Sequence, residues 1–280
     1  MNPMSNIRLC AFADEADANR LGQIKALTEN SIPYLEIRGV DGTNIADLSR
    51  EAALRFKSEL DAAGIRVWSI GSPTGKTQIS GCFDDDIAKF KHLLDMAEIF
   101  EAKRIRLFSF YGTNGEDTYF DEVCRRLNIF CDLCDQRGVI PCHENEKGIY
   151  GENAPHCLAI HKAVPRLKAV FDPANFVQCG VDTLGAWELL RPYTYYGHIK
   201  DALADGRVVP PGTGLGHLKE YLPDLLKNSS GVLTMEPHLT KFVGLSALEN
   251  GDDKAVGALS FETPRAAFDY AVKCLRELLA

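Results

Sequence analysis

Apolar and polar positions alternate along the chain in a repeating two-part pattern. Short apolar, strand-like runs occur at Ile7–Ala13, Tyr34–Ile37, Arg66–Ile70, Arg104–Ser109, Val139–His143, Leu167–Phe171, Tyr195–Ile199 and Val232–Met235. Their spacing of about 25 to 40 residues is the room that one strand and one helix need. Helical patterns fill the intervals. Leu48–Ala63 stops at Gly64, and Asp121–Gln136 stops at Gly138, each a C-terminal signal. Asp85–Phe100 places Ile87, Phe90, Leu94 and Ala97 on one face, and a further helix is expected at Leu218–Leu226. Thr263 and Pro264 read as an N-cap and first helical position, followed by a stripe of Phe268, Ala271, Val272, Leu275 and Leu279.

Eight such units predict an α/β fold, a closed (β/α)8 TIM barrel forming one domain over residues 1–280. A doubly wound sheet is the alternative. Its dinucleotide-binding form needs a glycine fingerprint after the first strand, and Phe12-Ala13-Asp14-Glu15 lacks one. No Pro-, Gly- or Ser-rich linker divides the chain.

Composition narrows the partners. Thirty-one Lys and Arg face 39 Asp and Glu, a net charge of −8. That balance argues against nucleic acid or an anionic membrane as partner. No apolar run approaches the roughly 20 residues of a membrane span. The N-terminal stretch has no basic segment followed by a long apolar one, so the expected location is cytoplasmic. Nine cysteines without a disulfide-type spacing are expected to be free thiols. Cys131 and Cys134 form one CxxC without a second pair; with Cys124 they share a helical face and are expected in the core.

Barrel enzymes carry their chemistry at the C-terminal ends of the strands. Here the fifth run ends His143-Glu144-Asn145-Glu146, and the sixth ends Phe171-Asp172-Pro173. The seventh contains His198-Ile199-Lys200-Asp201, and the eighth ends Met235-Glu236-Pro237-His238. Four successive strands thus deliver a carboxylate or imidazole to one rim. Carboxylates crowded in this way repel one another, and a divalent cation resolves the conflict. Strand parity does not separate Glu144 from Glu146, but it places His198 and Lys200 on one face.

The stretches HENEKGIYG, FDPANF, HIKDA, PPGTGLG and MEP resemble the xylose isomerase-like superfamily of sugar isomerases and epimerases. That group includes ketose 3-epimerases, hydroxypyruvate isomerases, inosose dehydratases and endonuclease IV. The resemblance implies one divalent metal held by Glu144, Asp172, His198 and Glu236, with Mn²⁺ ahead of Mg²⁺, Co²⁺ or Zn²⁺. It also implies that Glu144 and Glu236 are the catalytic acid and base. The epimerases have a substrate-binding His where this chain has Asn175, and Arg207 stands at an unconvincing offset from the Arg that follows their seventh strand.

Substrate contacts are expected from Lys200, Glu36, Lys76, Asn175 and His143. Glu36 is placed at the barrel mouth, with an ion pair to Arg38 as the competing reading. Lys76 lies in the loop Ser72–Lys76, and His143 flanks a ligand. Phe12 and Trp68 are candidates for stacking on a sugar, though core packing is the simpler role. Gly212, Gly214 and Gly216 are spaced to let backbone amides approach an anion, and a flexible loop between strand and helix explains them equally well.

The leading expectation is a metal-dependent sugar or sugar phosphate isomerase or epimerase, shifting a proton beside a carbonyl through an enediolate. An inosose dehydratase-like lyase begins with the same proton removal. An endonuclease IV-like nuclease needs more histidines than these strand ends supply. A non-catalytic sugar-binding barrel has no need of the ligand set. The expected partner is a small carbohydrate, and a homo-oligomer is left open.

Overall fold

In the computed structural model, which describes residues 7–243, 245 and 259–280, all eight apolar runs are strands of one sheet. They are β1 Arg8–Ala11, β2 Tyr34–Ile37, β3 Arg66–Ile70, β4 Arg104–Leu107, β5 Ile140–Glu144, β6 Lys168–Phe171, β7 Thr194–Ile199 and β8 Val232–Met235. Met1–Asn6, part of the stretch read for a secretory signal, lie outside the described residues.

Each strand pairs in parallel with its neighbours in sequence, and β1 closes the barrel against β8 through Arg8↔Val232 to Ala11↔Met235. Register shifts occur at Leu35/Glu36 and at Ala169/Val170. The outward faces meet a helical layer: α1 Arg20–Glu29, α2 Arg50–Ala62, α3 Phe83–Ile99, α4 Phe120–Arg137, α5 Ala154–Ala163, α6 Pro173–Gln178, α7 Thr183–Leu190, α8 Leu218–Asn228 and α9 Pro264–Leu279. This is the closed (β/α)8 barrel.

Local chemistry sets the helix ends. The Ser49 side chain accepts from the Ala52 amide at the start of α2, and the Thr263 side chain accepts from the Ala266 amide at the start of α9. Gly138 stops α4 with φ +62, a conformation that favours glycine. Phe130 stacks on Phe110 and packs at a tilt against Phe90, joining α3 and α4 to the barrel. Cys124, Cys131 and Cys134 are buried there as free thiols, and burial pushes Cys131 up to about 12. Among the described residues, no helix is long and apolar enough to cross a membrane.

The glycine loop after β7 corrects the expectation of an external anion. The amides of Gly212, Gly214 and Gly216 donate to the Asp201 carboxylate at 3.0, 2.8 and 2.8 Å. The anion held by this loop is the protein's own. Asp201 begins the two-residue strand Asp201–Ala202, which pairs with Val208–Val209 and continues directly from Lys200. The nest therefore fixes the segment that leaves β7. A Cβ on Gly214 would lie 2.4 Å from Asp201 Oδ1 and 2.5 Å from the Ala202 carbonyl oxygen.

That close approach makes Gly214→Ala a test of the nest. The substitution should cost on the order of 2 kcal/mol, read as a lower urea midpoint with an unchanged m-value. An unchanged midpoint would show that the loop does not anchor this part of the barrel.

Candidate metal centre and active site

The barrel interior brings together side chains far apart in sequence. Glu144 is the last residue of β5. Asp172 and Glu236 directly follow β6 and β8, and His198 is the penultimate residue of β7. One ligand atom from each lies within 4.8 Å of the others, and all four residues are buried. His198 Nδ1 is 3.0 Å from Glu144 Oε1, 2.9 Å from Glu236 Oε2 and 4.0 Å from Asp172 Oδ2. The ambiguity between Glu144 and Glu146 is resolved by position: Glu146 pairs with Lys76 at 2.7 Å, outside the cluster.

Each carboxylate is oriented by its neighbours. Arg106 reaches Glu144 Oε2 at 3.1 Å, and Arg38 reaches Glu236 Oε1 at 2.9 Å. The two glutamates thus each give one oxygen to an arginine and turn the other toward His198. Asp172 caps α6 by accepting from the Asn175 amide, and its backbone is tied to the Asn145 side chain by two hydrogen bonds of 2.8 and 3.0 Å. Lys200 Nζ stands 3.0 Å from Asp172 Oδ2 and 3.9 Å from Glu236 Oε2. It shares the pocket with His198, as strand parity requires.

Several expected substrate contacts sit elsewhere. Glu36 is not at the mouth and does not pair with Arg38. It is fully buried beneath the cluster, accepts from Tyr196 Oη at 2.7 Å and Thr234 Oγ1 at 3.0 Å, and lies 3.4 Å from His198 Nε2. It stands behind the imidazole rather than in front of a substrate. His143 alternates away from the interior, since Glu144 faces inward. It hydrogen-bonds Ser109 Oγ at 3.0 Å and packs edge-on against His161 of α5. Asn175 donates to the Asn145 carbonyl at 2.9 Å and to Glu144 Oε1 at 3.3 Å, so its amide holds a ligand carboxylate in place. Lys76 spans Glu146 and the Phe108 ring at the rim. Phe12 meets the edge of the His198 ring, whereas Trp68 lies at the opposite end of the barrel with Arg104 over its face.

Sequence reasoning missed Arg106, Arg38, Asp14 and Glu15. Arg38 lies between Asp14, Glu15 and Glu236 at 2.9 to 3.1 Å. An arginine at an inward position of the apolar run Arg104–Ser109 was the available signal for Arg106, because a buried guanidinium requires a carboxylate partner. A cavity of about 440 Å³ adjoins the cluster, lined among others by Asp14, Arg38, Thr43, Pro73 and Lys76.

The electrostatics fit a divalent cation. Burial pushes Asp172 up to about 6, reinforced by Glu236 and Glu144 and opposed by Lys200. Burial disfavours charge on His198, yet Glu144, Glu236 and Glu36 outweigh it and raise the imidazole well above its usual value. Glu144 Oε2, Asp172 Oδ2 and Glu236 Oε2 are buried close together, and each turns toward positive charge: Arg106 at 3.1 Å, Lys200 at 3.0 Å and His198 at 2.9 Å. Buried carboxylate oxygens of this kind call for a cation, and one bound here would replace the imidazole proton. Three oxygen donors and one imidazole suit Mn²⁺ or Mg²⁺, with Co²⁺ and Zn²⁺ compatible.

A (β/α)8 barrel with a carboxylate–imidazole cluster at its C-terminal rim matches the profile of the xylose isomerase-like TIM barrels over residues 25–278. The chain belongs to that family. A curated 3-dehydroshikimate dehydratase from Bacillus anthracis is 24% identical over 179 residues, which span 62% of this chain and 63% of that protein. The chain thus matches less than two thirds of that relative's length. The crystal structure of the probable 3-DHS dehydratase AsbF from Bacillus anthracis has a TM-score of 0.72 at 18% identity, covering 97% of this chain and 98% of the other. D-psicose 3-epimerase with D-tagatose, from Clostridium cellulolyticum H10, has a TM-score of 0.73 at 14% identity, covering 98% and 99%. These structural likenesses establish a shared fold.

Two measurements check the site. Asp172→Ala should lower the divalent metal retained after purification without chelator, read by elemental analysis; undiminished metal would remove Asp172 from the ligand set. The second concerns the neutral histidines behind β5. Burial lowers His161 to about 4 and His143 well below its usual value. Between pH 6.5 and 4 the unfolded chain takes up a proton at His161 that the folded chain does not, so stability falls as pH falls through that window. In His161→Phe the unfolding midpoint should fall less steeply over this range. An unchanged slope would show that His161 is not held neutral.

Proposed function

We propose that this protein is a divalent-metal-dependent isomerase or epimerase of a sugar or sugar phosphate. The observation that carries the reading is the placement of Glu144 and Glu236. They arise from β5 and β8, converge within 3.0 Å of one imidazole nitrogen, and are each steadied by one arginine.

Glu144, Asp172, His198 and Glu236 would hold the cation, which when bound supplies Lewis-acid stabilisation of negative charge developing on the substrate oxygens. The protein's own groups do the rest. One glutamate takes the proton from the carbon beside the substrate carbonyl; the C–H pair moves into a C=C bond and the carbonyl becomes an enediolate oxygen. The other glutamate returns a proton to the opposite face, which inverts that carbon and restores the carbonyl. Return on the same face to the neighbouring carbon gives aldose–ketose isomerisation instead. Lys200 binds an oxygen of the substrate beside the anionic cluster. Arg106 and Arg38 keep the two bases aligned through the cycle, and Asn175 steadies Glu144.

The dehydratase match favours a second reading, elimination. It starts with the same proton removal, but the C=C bond forms as a neighbouring C–O bond breaks, and the hydroxyl leaves as water after protonation by the second glutamate. An epimer or isomer keeps the substrate's mass, whereas elimination loses one water.

Glu144→Gln and Glu236→Gln keep a ligand oxygen but lose the basic carboxylate. Each should retain some metal while kcat falls by roughly 10²–10⁴-fold. With Mn²⁺ and a panel of ketoses, sugar phosphates and inososes in D₂O, the wild type should place deuterium at the reacting carbon of a product of unchanged mass. Normal turnover by either metal-loaded variant, or hydride transfer without solvent exchange, would refute the proton-transfer reading.

A further inference from the structure

The N-terminal mouth of the barrel, opposite the metal cluster, carries an arrangement that the proposed chemistry does not use. Arg8, Arg66 and Arg104 are the first residues of β1, β3 and β4. They line one cavity of about 260 Å³ together with Tyr34 and Trp68. Lys57, Asp61 and Glu101 line it too, and Lys57 pairs with Asp61 at 2.6 Å and Glu101 at 3.1 Å, so the lining holds four cations against two carboxylates. Among the described residues, none of the three arginines has a carboxylate within ion-pair distance. Arg20, Arg38, Arg106, Arg166 and Arg265 do have one, and what sets Arg8, Arg66 and Arg104 apart from other unpaired arginines is that they share one cavity. In a chain of net charge −8, three unmatched guanidiniums around one cavity are a local excess of positive charge.

A second observation is independent of charge. Trp68 is only 4% exposed, and its Nε1–H has no hydrogen-bond acceptor; nor does the buried Nε–H of Arg104. Buried donors left unmatched are costly, and both belong to residues that line this cavity. The Arg104 guanidinium is held 3.6 Å from the Trp68 ring centre, and it donates to the Trp68 carbonyl at 3.1 Å. Trp68 in turn stacks on Tyr195. Arg66 lies over Tyr34. Two of the three cations are therefore positioned by aromatic faces, which lowers the ordering cost of gripping a ligand.

We propose that this mouth is a binding site for a tetrahedral oxyanion: phosphate, or the phosphoryl group of a phosphate monoester. Guanidiniums approaching from three strands address several sides of the ligand at once, which suits an ion with three or more acceptor oxygens better than a planar carboxylate. A buried layer including Cys10, Cys142, Val170 and Tyr196 separates the site from the metal cluster. It is thus a separate site, and it does not rest on the isomerase reading.

The test is calorimetric titration of the full chain with inorganic phosphate at constant ionic strength, with chloride as the control anion. The wild type should show saturable binding that chloride does not reproduce. Arg66→Gln and Arg104→Gln should each weaken it at least about tenfold. Arg66 is exposed, so its variant gives the decisive comparison even if Arg104→Gln disturbs folding. Glycerol phosphate and glycerol, each read as the difference between wild type and Arg66→Gln, separate the sources. Tighter binding of glycerol phosphate than of phosphate identifies a monoester, and equal binding identifies the free ion. No saturable heat, or phosphate binding that survives Arg66→Gln at full strength, would overturn the proposal.

Discussion

The structure turns on the mutual repulsion of carboxylates buried at one end of the barrel. Asp14, Glu15, Glu36, Glu144, Asp172 and Glu236 are all buried there, and the permanent cations among them are Arg38, Arg106 and Lys200. Three negative charges remain without a fixed partner, and removing charge from water makes each of them costly. The imidazoles of His198 and His238 respond by holding protons, and both lie above their usual values against the effect of burial. A divalent cation held at the four-residue cluster would meet most of the deficit and leave His198 neutral. Barrel closure, arginine clamps and the glycine nest around Asp201 all serve to hold these acids where repulsion would disperse them.

Strand periodicity arranges the interior in layers with distinct chemistry. The C-terminal layer is charged and adjoins a cavity of about 440 Å³. The middle layer, including Cys10, Cys142, Val170 and Tyr196, is buried and closes the floor. The N-terminal layer presents Arg8, Arg66 and Arg104 with Tyr34 and Trp68. A residue shifted by two positions along a strand changes layer without changing face. Arg104 and Arg106 show this directly: both share the inward parity of β4, one lying over Trp68 and the other binding Glu144. Trp68 was a candidate for sugar stacking on residue type alone, and its layer places it at the wrong end.

The barrel was legible because eight apolar runs at regular spacing admit few topologies, and each run became a strand with ends within about two residues of expectation. The cluster was legible because its four residues lie at or next to strand ends, where local pattern predicts position. Contacts between distant strands were not. Nothing near Glu36 in sequence signals that it will stand behind His198, since that depends on β2 facing β7 across the barrel. The ion pair expected between Glu36 and Arg38 failed because Arg38 meets acids from β8 and from the turn after β1. His143 was misplaced for a simpler reason: its neighbour Glu144 points inward, so alternation turns His143 to the helical layer.

The central claim is that Glu144, Asp172, His198 and Glu236 hold one divalent cation between the two glutamates that move the proton. Anomalous diffraction from crystals of the protein loaded with Mn²⁺ tests it most directly. The account predicts a single strong peak bounded by those four side chains, with His198 bound through Nδ1 and its Nε2 facing Glu36. A peak centred on Glu146, ligation through Nε2, or no ordered manganese at the C-terminal rim would contradict it.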